Sequence, residues 1–475
     1  MTETLRPDIC VIGGNPGGLS VAAAAAAFGV PTVLVESRKM GGNSLKVGCA
    51  QSKALLAAAK RYEAAQSAKL FGVDVRDSRV NFSGVRRHIH SVIAAAAQAD
   101  SPERFSGLGV RVIDAEAKFK DRNTVVAGDI EIRARRFVIA AGSKSALPEI
   151  PGLDTGPYLT SESIFDLRER PEHLIIIGAG PTGLELAQGF RRLGSSVTVL
   201  EAAQPLGRDD SECVDVVLAQ LEREGVVIRS GVKVVDIAHA GPTVTATIES
   251  GGAEQTITGS HLLVATGRSP SIADLDLDTA GVRHERSGIV VNRKLKTGNR
   301  RVYAIGECIA GAPQLTQAAN YHAGLVIRNA LFRLPVRVNN DCIPWVTFTD
   351  PELAQIGLTE ARAREQGIKI RVTRWPYHDN DRAQAEGTPR GHIKVITTAK
   401  GKIVGVTIVG AQAGELIAMW VLAVARNLDL RAITDLVFPY PTLSEVGKHA
   451  AIDYLSPSLT GVWARRIIGW MRIFG

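Results

Sequence analysis

Cysteine is scarce and scattered: five occur in 475 residues, at Cys10, Cys49, Cys213, Cys308 and Cys342, with no CxxC and no metal-ligand spacing. That dispersal argues against a disulfide-stapled secreted framework and implies a reducing compartment. The histidines add no HxxxH or carboxylate grouping, so a metal site is not expected. Aromatic residues make up only 5% of the chain. Long hydrophobic runs are missing as well. The apolar stretch from Leu19 stops at Pro31 and is too short to span a bilayer. No basic leader precedes an apolar core at the N-terminus, so no signal peptide is read there. A net charge of +8 is spread without a long basic block, which gives little reason to expect nucleic acid.

What is present is glycine, 47 residues against 21 prolines, in a chain too long for one hydrophobic core. Two to four α/β domains with tight turns are expected. A short apolar strand, Ile9 to Ile12, runs into GGNPGG (13–18), an alanine-rich helix and a second strand ending at Glu36. The pattern recurs in LIIIGAGPTGLELAQGFRRLGSSVTVLE, 174–201. There Gly178, Gly180 and Gly183 complete GxGxxG. The first glycine serves the tight turn, the second lets the backbone approach a pyrophosphate, and the third packs helix on sheet. Glu201 ends the next strand, placed to accept from a ribose 2′-hydroxyl, and its charge favours NADH over NADPH. The first unit departs from this pattern. Gly13 and Gly18 are present, but Asn15 stands at the second glycine. Asn tolerates a left-handed backbone, so the turn is expected to survive, with the side chain taking space near the pyrophosphate.

Further glycine-stopped strands end at Gly142, at Gly267 and Arg268 within ATGRSP (265–270), and at Gly306 within YAIGE (303–307). From Pro344 onward, strands at Ile393 to Thr397 and Ile403 to Val409 read as antiparallel, with helices at Glu360 to Glu365 and Gly414 to Asn427.

In this order the motifs resemble the pyridine nucleotide-disulfide oxidoreductase family, which includes dihydrolipoamide, glutathione and mercuric reductases. The resemblance implies an α/β fold with two Rossmann-like domains, FAD- and NAD(P)-binding, plus an α/β interface domain with an antiparallel sheet. It assigns 1–150 to the first part of the FAD-binding domain, 151–271 to the NAD(H)-binding domain and 272–338 to the FAD-binding continuation and central region. Residues 339–458 become the dimerisation domain of a homodimer, and 459–475 an amphipathic basic tail. Gly13, Asn15, Gly18, Glu36, Gly42, Ser44, Gly142, Gly306 and Glu307 fall on the FAD side, Glu307 standing where the family usually has aspartate. Gly178, Gly180, Gly183, Glu201, Gly267 and Arg268 fall on the nicotinamide side.

Disulfide-reducing members carry CxxxxC at the flavin; here the two positions are Ser44 and Cys49. A hydroxyl forms no disulfide, so the usual dithiol relay is missing. The family's histidine before PTLSE (441–445) is Tyr440, with Glu445 retained. A phenol with a reference pKa of about 10 is a poor base near neutrality, although it can donate a hydrogen bond. Mercuric reductases have a tyrosine near this position but add a C-terminal cysteine pair, and no cysteine follows Cys342 here. Lys53 and Glu185 match the pair that meets beside the flavin. Cys308 is read as a buried core residue, with pairing to Cys49 as the alternative.

The reading is an FAD-dependent NADH:acceptor oxidoreductase that passes electrons from flavin to a non-disulfide acceptor, with a quinone as candidate. Alternatives are thiol/disulfide or metal-ion reduction through Cys49, nicotinamide transhydrogenation, and a non-catalytic flavoprotein scaffold. In the tail, Trp463, Ile467, Trp470, Met471 and Phe474 share a helical face, with Arg465 and Arg472 nearly opposite. Peripheral membrane contact through 462–474, docking on the protein's own dimer and a frayed end are all open. The expected location is cytoplasmic, peripheral on the inner face of the membrane in the first case.

Overall fold

The computed structural model describes residues 3–42, 49–459 and 461–473. The chain divides into two compact units, Met1–Ala202 with Val227–Asn340, and Ala203–Val226 with Asp341–Gly475.

The first unit holds two parallel five-stranded sheets. In one, strands Ile9–Ile12 and Thr32–Val35 lie side by side, flanked by Arg136–Ile139, Val302–Ala304 and Val110–Ile113. In the other, His173–Ile177 pairs with Ser196–Glu201 and His261–Val264. All four residues of Ile9–Ile12 and of Thr32–Val35 are buried. Parallel strands covered on both faces read as such continuous apolar runs. An antiparallel three-stranded sheet, Lys233–Ala240, Thr243–Ser250 and Ala253–Gly259, adds to the second.

Small residues set the helix packing. The helix Pro16–Ala27 runs against Thr316–Ala330 closely enough that a Cβ on Gly17 would come 2.9 Å from the Ala319 Cβ. The 19-residue helix Cys49–Ser67 packs on Pro181–Arg192, where a Cβ on Gly189 would stand 3.1 Å from Leu55 Cδ2. Glu185 lies one turn before Gly189 and Lys53 two residues before Leu55, so this approach also brings Lys53 to Glu185.

The second unit is built on a five-stranded antiparallel sheet ordered Trp345–Thr347, Glu352–Gly357, Ile403–Gly410, His392–Thr398, Ile370–Pro376. Strand alternation sends Ala354, Ile356, Ile393, Val395, Val406 and Ile408 into a core with Trp420. The alternate face carries Lys394, buried, whose Nζ lies 2.9 Å from Asp210, 3.1 Å from Glu212 and 2.9 Å from Glu360. Arg374 grips Glu212 at 2.7 Å and holds its carboxyl down to about 2. This network ties the start of the helix Ser211–Arg223 to the sheet. Residues 203–226, inside the stretch assigned to the NAD(H)-binding domain, therefore cluster with 341–475.

Candidate functional site

The two glycine turns repeat each other almost atom for atom. In the first, a Cβ on Gly13 would overlap the Ala140 carbonyl, and one on Gly18 would overlap the Gly13 carbonyl. In the second, a Cβ on Gly178 would meet the Ala265 carbonyl and one on Gly183 the Gly178 carbonyl. Gly13 and Gly178 are also left-handed, at φ 108° and 106°. Each acidic strand end reaches back to the turn. Glu36 Oε2 accepts from Gly14 N at 2.6 Å, and Glu201 Oε2 accepts from Ala179 N at 2.7 Å. Glu36 also accepts from Arg38 N at 2.8 Å. Both helices open with proline at the first position, leaving first-turn N–H groups directed at the mouth of the turn.

The divergence is at one residue. Asn15 has φ −75° and ψ 166°, close to the −74° and −179° of Gly180. The turn therefore does not draw on asparagine's tolerance of a left-handed backbone: the position is extended, and asparagine fits it without strain. Its side chain caps no helix N–H; instead Nδ2 donates to the Ala140 carbonyl at 2.7 Å. Both turns have the cradle that a dinucleotide diphosphate fits, and FAD in the first and a nicotinamide dinucleotide in the second are compatible with the residues present.

Beside the first turn lies a cleft bordered by Asn15, Pro16, Gly142, Gly306, Glu307 and Thr316. Gly142 and Gly306 are left-handed, at φ 67° and 72°. The Glu307 carboxylate accepts from the Ser143 hydroxyl, which in turn accepts from Arg268 Nε at 2.7 Å. Arg268 also donates to the Ser143 carbonyl at 2.7 Å and stands 3.6 Å from Glu307. Arg268 thus serves the Glu307 side of the cleft, brought there because strand Arg268–Pro270 pairs with Ser143–Ser145. Gly267 precedes it with φ 124°. Buried His322 accepts from Gly306 N at its Nδ1, 3.2 Å away, and burial pushes its pKa down to about 4. Cys308 is wholly buried, its thiol pushed up to about 11 by burial, and joins the core; no disulfide links the cysteines. Ser143 and His322 carry no motif, and sequence reasoning missed both.

Lys53 Nζ lies 2.7 Å from Glu185 Oε2, with Glu185 5% exposed and Lys53 36%. Cys49 is the first residue of its helix and is exposed, its Sγ 3.8 Å from Thr316 Oγ1. Ser44 lies outside the described residues. Gly42, left-handed at φ 52°, borders Asn15.

In the second unit, Tyr440 is 72% exposed and donates from its hydroxyl to Asp381 at 2.7 Å. The Asp381 carboxylate pushes the phenol pKa up, so the hydroxyl stays protonated near neutrality with its one O–H given to Asp381. Glu445 accepts from Thr442 N at 3.2 Å. The hydroxyl's hydrogen-bond partner is thus Asp381, 59 residues away in sequence, which no motif signalled.

From Val462 to Ile473 every described side chain is exposed, including Trp463 at 76% and Trp470 at 64%. Arg466 lies 5.7 Å from the Trp463 ring. Phe474 falls outside the described residues. Among those residues no helix is long and apolar enough to cross a membrane.

Comparison with known proteins agrees with this architecture. The family profile "Pyridine nucleotide-disulphide oxidoreductase" matches residues 7–323, and its dimerisation domain matches 343–451. Mercuric reductase of Bacillus cereus is 33% identical over 450 residues, covering 94% of this chain and 71% of the relative. Dihydrolipoyl dehydrogenase of Geobacillus stearothermophilus is 31% identical over 458 residues, covering 95% of each. Among solved structures, the Cu(II) complex of the HOCl-induced flavoprotein disulfide reductase RclA from Escherichia coli superposes with a TM-score of 0.83. It is 26% identical over 96% of this chain and all of that one. Membership implies use of FAD and a nicotinamide dinucleotide, and the dimerisation domain supports a homodimer. The chain belongs to the pyridine nucleotide-disulphide oxidoreductase family, as a divergent FAD-dependent NAD(P)H oxidoreductase without the disulfide-forming cysteine pair.

Proposed function

We propose that this enzyme oxidises NADH and delivers the electrons from its flavin directly to a non-disulfide acceptor, a quinone. The observation that carries this is Cys49, exposed and alone, in a position where a dithiol relay needs two sulfurs. Bound FAD supplies hydride acceptance from the nicotinamide and release of electrons to the acceptor. The chain supplies position and electrostatics. Gly13, Gly18, Gly42 and Gly142 let the backbone approach one dinucleotide, with Glu36 for its ribose and Glu307 for its ribityl hydroxyls. Gly178, Gly180, Gly183 and Gly267 do so for the other. Glu201 accepts from the ribose 2′-hydroxyl of NADH and repels a 2′-phosphate. Arg268 and Ser143 fix the Glu307 carboxylate. Buried Glu185 holds the Lys53 ammonium, and the pair places a positive charge where the flavin accepts hydride. Tyr440 would donate to an acceptor oxygen only on giving up its bond to Asp381, and Glu445 organises the turn that carries it.

The tail supports a membrane-borne acceptor. In the helix Val462–Met471 the exposed Trp463, Ile467, Trp470 and Met471 would enter the headgroup boundary. Arg465, Arg466 and Arg472, without an acidic neighbour from 461 to 475, would meet lipid phosphates. On this reading the enzyme works at the cytoplasmic membrane face. Stopped-flow reduction by NADH, followed by mixing with quinones, disulfides, metal ions and oxygen, tests the reading: quinone is expected to reoxidise the flavin fastest. Oxidation of NADH with ferricyanide but with no quinone analogue would dispose of it. The exposed thiol of Cys49 favours a second reading, reduction of a small disulfide or a metal ion through that sulfur, which predicts the opposite order of acceptors.

A further inference from the structure

We propose that Asn15 is a gate on the diphosphate cradle of the first dinucleotide turn, one that weakens flavin binding there. The inference rests on the reading that this turn takes FAD. Asn15 stands at the helix N-cap, where asparagine ordinarily accepts from a first-turn N–H. Here the side chain is diverted across the turn to the Ala140 carbonyl, 2.7 Å from Nδ2. Its carboxamide spans the two left-handed glycines that face each other there. A Cβ on Gly142 would lie 2.6 Å from Nδ2, and one on Gly42 would overlap Oδ1.

The second turn provides the reference. Its corresponding positions, Gly180 and Gly267, look onto open space, with nothing within 4 Å of an added Cβ. A dinucleotide diphosphate approaches the backbone at the second glycine of the motif. In the first turn that approach meets a carboxamide, whose oxygen lies on the Gly42 side. An acceptor atom facing an anion is unfavourable, so entry requires the Nδ2–Ala140 bond to break and the side chain to rotate. The first-turn N–H groups are not consumed by Asn15, so the anion site beneath the gate stays intact. Admission then loses one hydrogen bond that a glycine at this position never makes, a penalty of about tenfold in affinity. Half-occupancy of the turn is consequently expected at about tenfold more FAD than with glycine at this position.

The test uses the full chain as wild type, Asn15→Gly, Asn15→Ala and Asn15→Asp. FAD affinity is read from fluorescence quenching on protein freed of flavin, and FAD release from loss of the flavin absorbance band on desalting. NADH binding to each variant serves as an internal reference, and a thermal melt without FAD confirms folding. N15G is expected to bind FAD at least about tenfold more tightly and release it more slowly, with N15A intermediate. N15D, equal in size but anionic, is expected to bind more weakly than wild type. NADH affinity should not move. The gate is overturned if folded N15G and N15A bind FAD no better than wild type. Folded variants that all bind NADH but never FAD would instead remove the flavin assignment of this turn, and the gate with it.

Discussion

The two dinucleotide turns of this chain share a backbone and differ in one side chain. Both use a left-handed first glycine under a carbonyl, a third glycine against the first, and a glutamate at the next strand end holding the second residue's N–H. At the remaining position one has Gly180 and open space, the other Asn15 and a carboxamide across the cradle. The difference teaches that a motif glycine can be dispensable for conformation yet decisive for access. Asn15 and Gly180 adopt nearly the same extended dihedrals, so the substitution costs the fold little and leaves its mark on the ligand.

The comparison can be broken most severely where the two turns join in one reaction, at Lys53 and Glu185. Glu185→Gln or Lys53→Met is expected to slow flavin reduction by NADH on the order of 10²-fold, with FAD still bound, read by anaerobic stopped flow. A rate within twofold of wild type would reduce the pair to a structural ion pair. Next, Gly180→Asn transplants the first turn's side chain into the second. NADH affinity should fall by about tenfold or more, with FAD affinity unchanged, measured by equilibrium titration. A smaller change sharpens the comparison. Glu201→Arg should move preference from NADH toward NADPH by roughly tenfold in kcat/KM, because the carboxylate no longer repels a 2′-phosphate.

The smallest effect concerns pH. His322 supports Gly306 beside the first turn only, and its folded pKa, about 4, lies below its ordinary value near 6.5. The unfolded chain therefore binds that proton first, and stability drops as pH falls from about 6.5 toward 4. His322→Gln should flatten the melting temperature across that window. A slope unchanged in the variant would assign the loss to other groups.

Much of this was legible in the sequence. The glycine turns, their acidic strand ends and the antiparallel strands of the second unit follow from periodicity and spacing, because local sterics dictate them. The Lys53–Glu185 contact came in with the family resemblance and closes across a sequence separation of 132. What stayed hidden depends on long-range geometry. Tyr440 meets Asp381 across 59 residues of sequence, and Glu307 is held by Ser143 and Arg268 through a strand pairing that no spacing reveals. The direction of the Asn15 side chain was hidden for the same reason: its partner, Ala140, ends a different strand.

The central claim, that flavin hands electrons outward without a sulfur relay, is tested most directly by Cys49→Ala. The variant is reduced anaerobically with NADH and mixed with a quinone in stopped flow. Reoxidation within about twofold of wild type is the predicted result, given an acceptor that needs no thiol. Loss of reoxidation with FAD still bound and still reducible by NADH would contradict it.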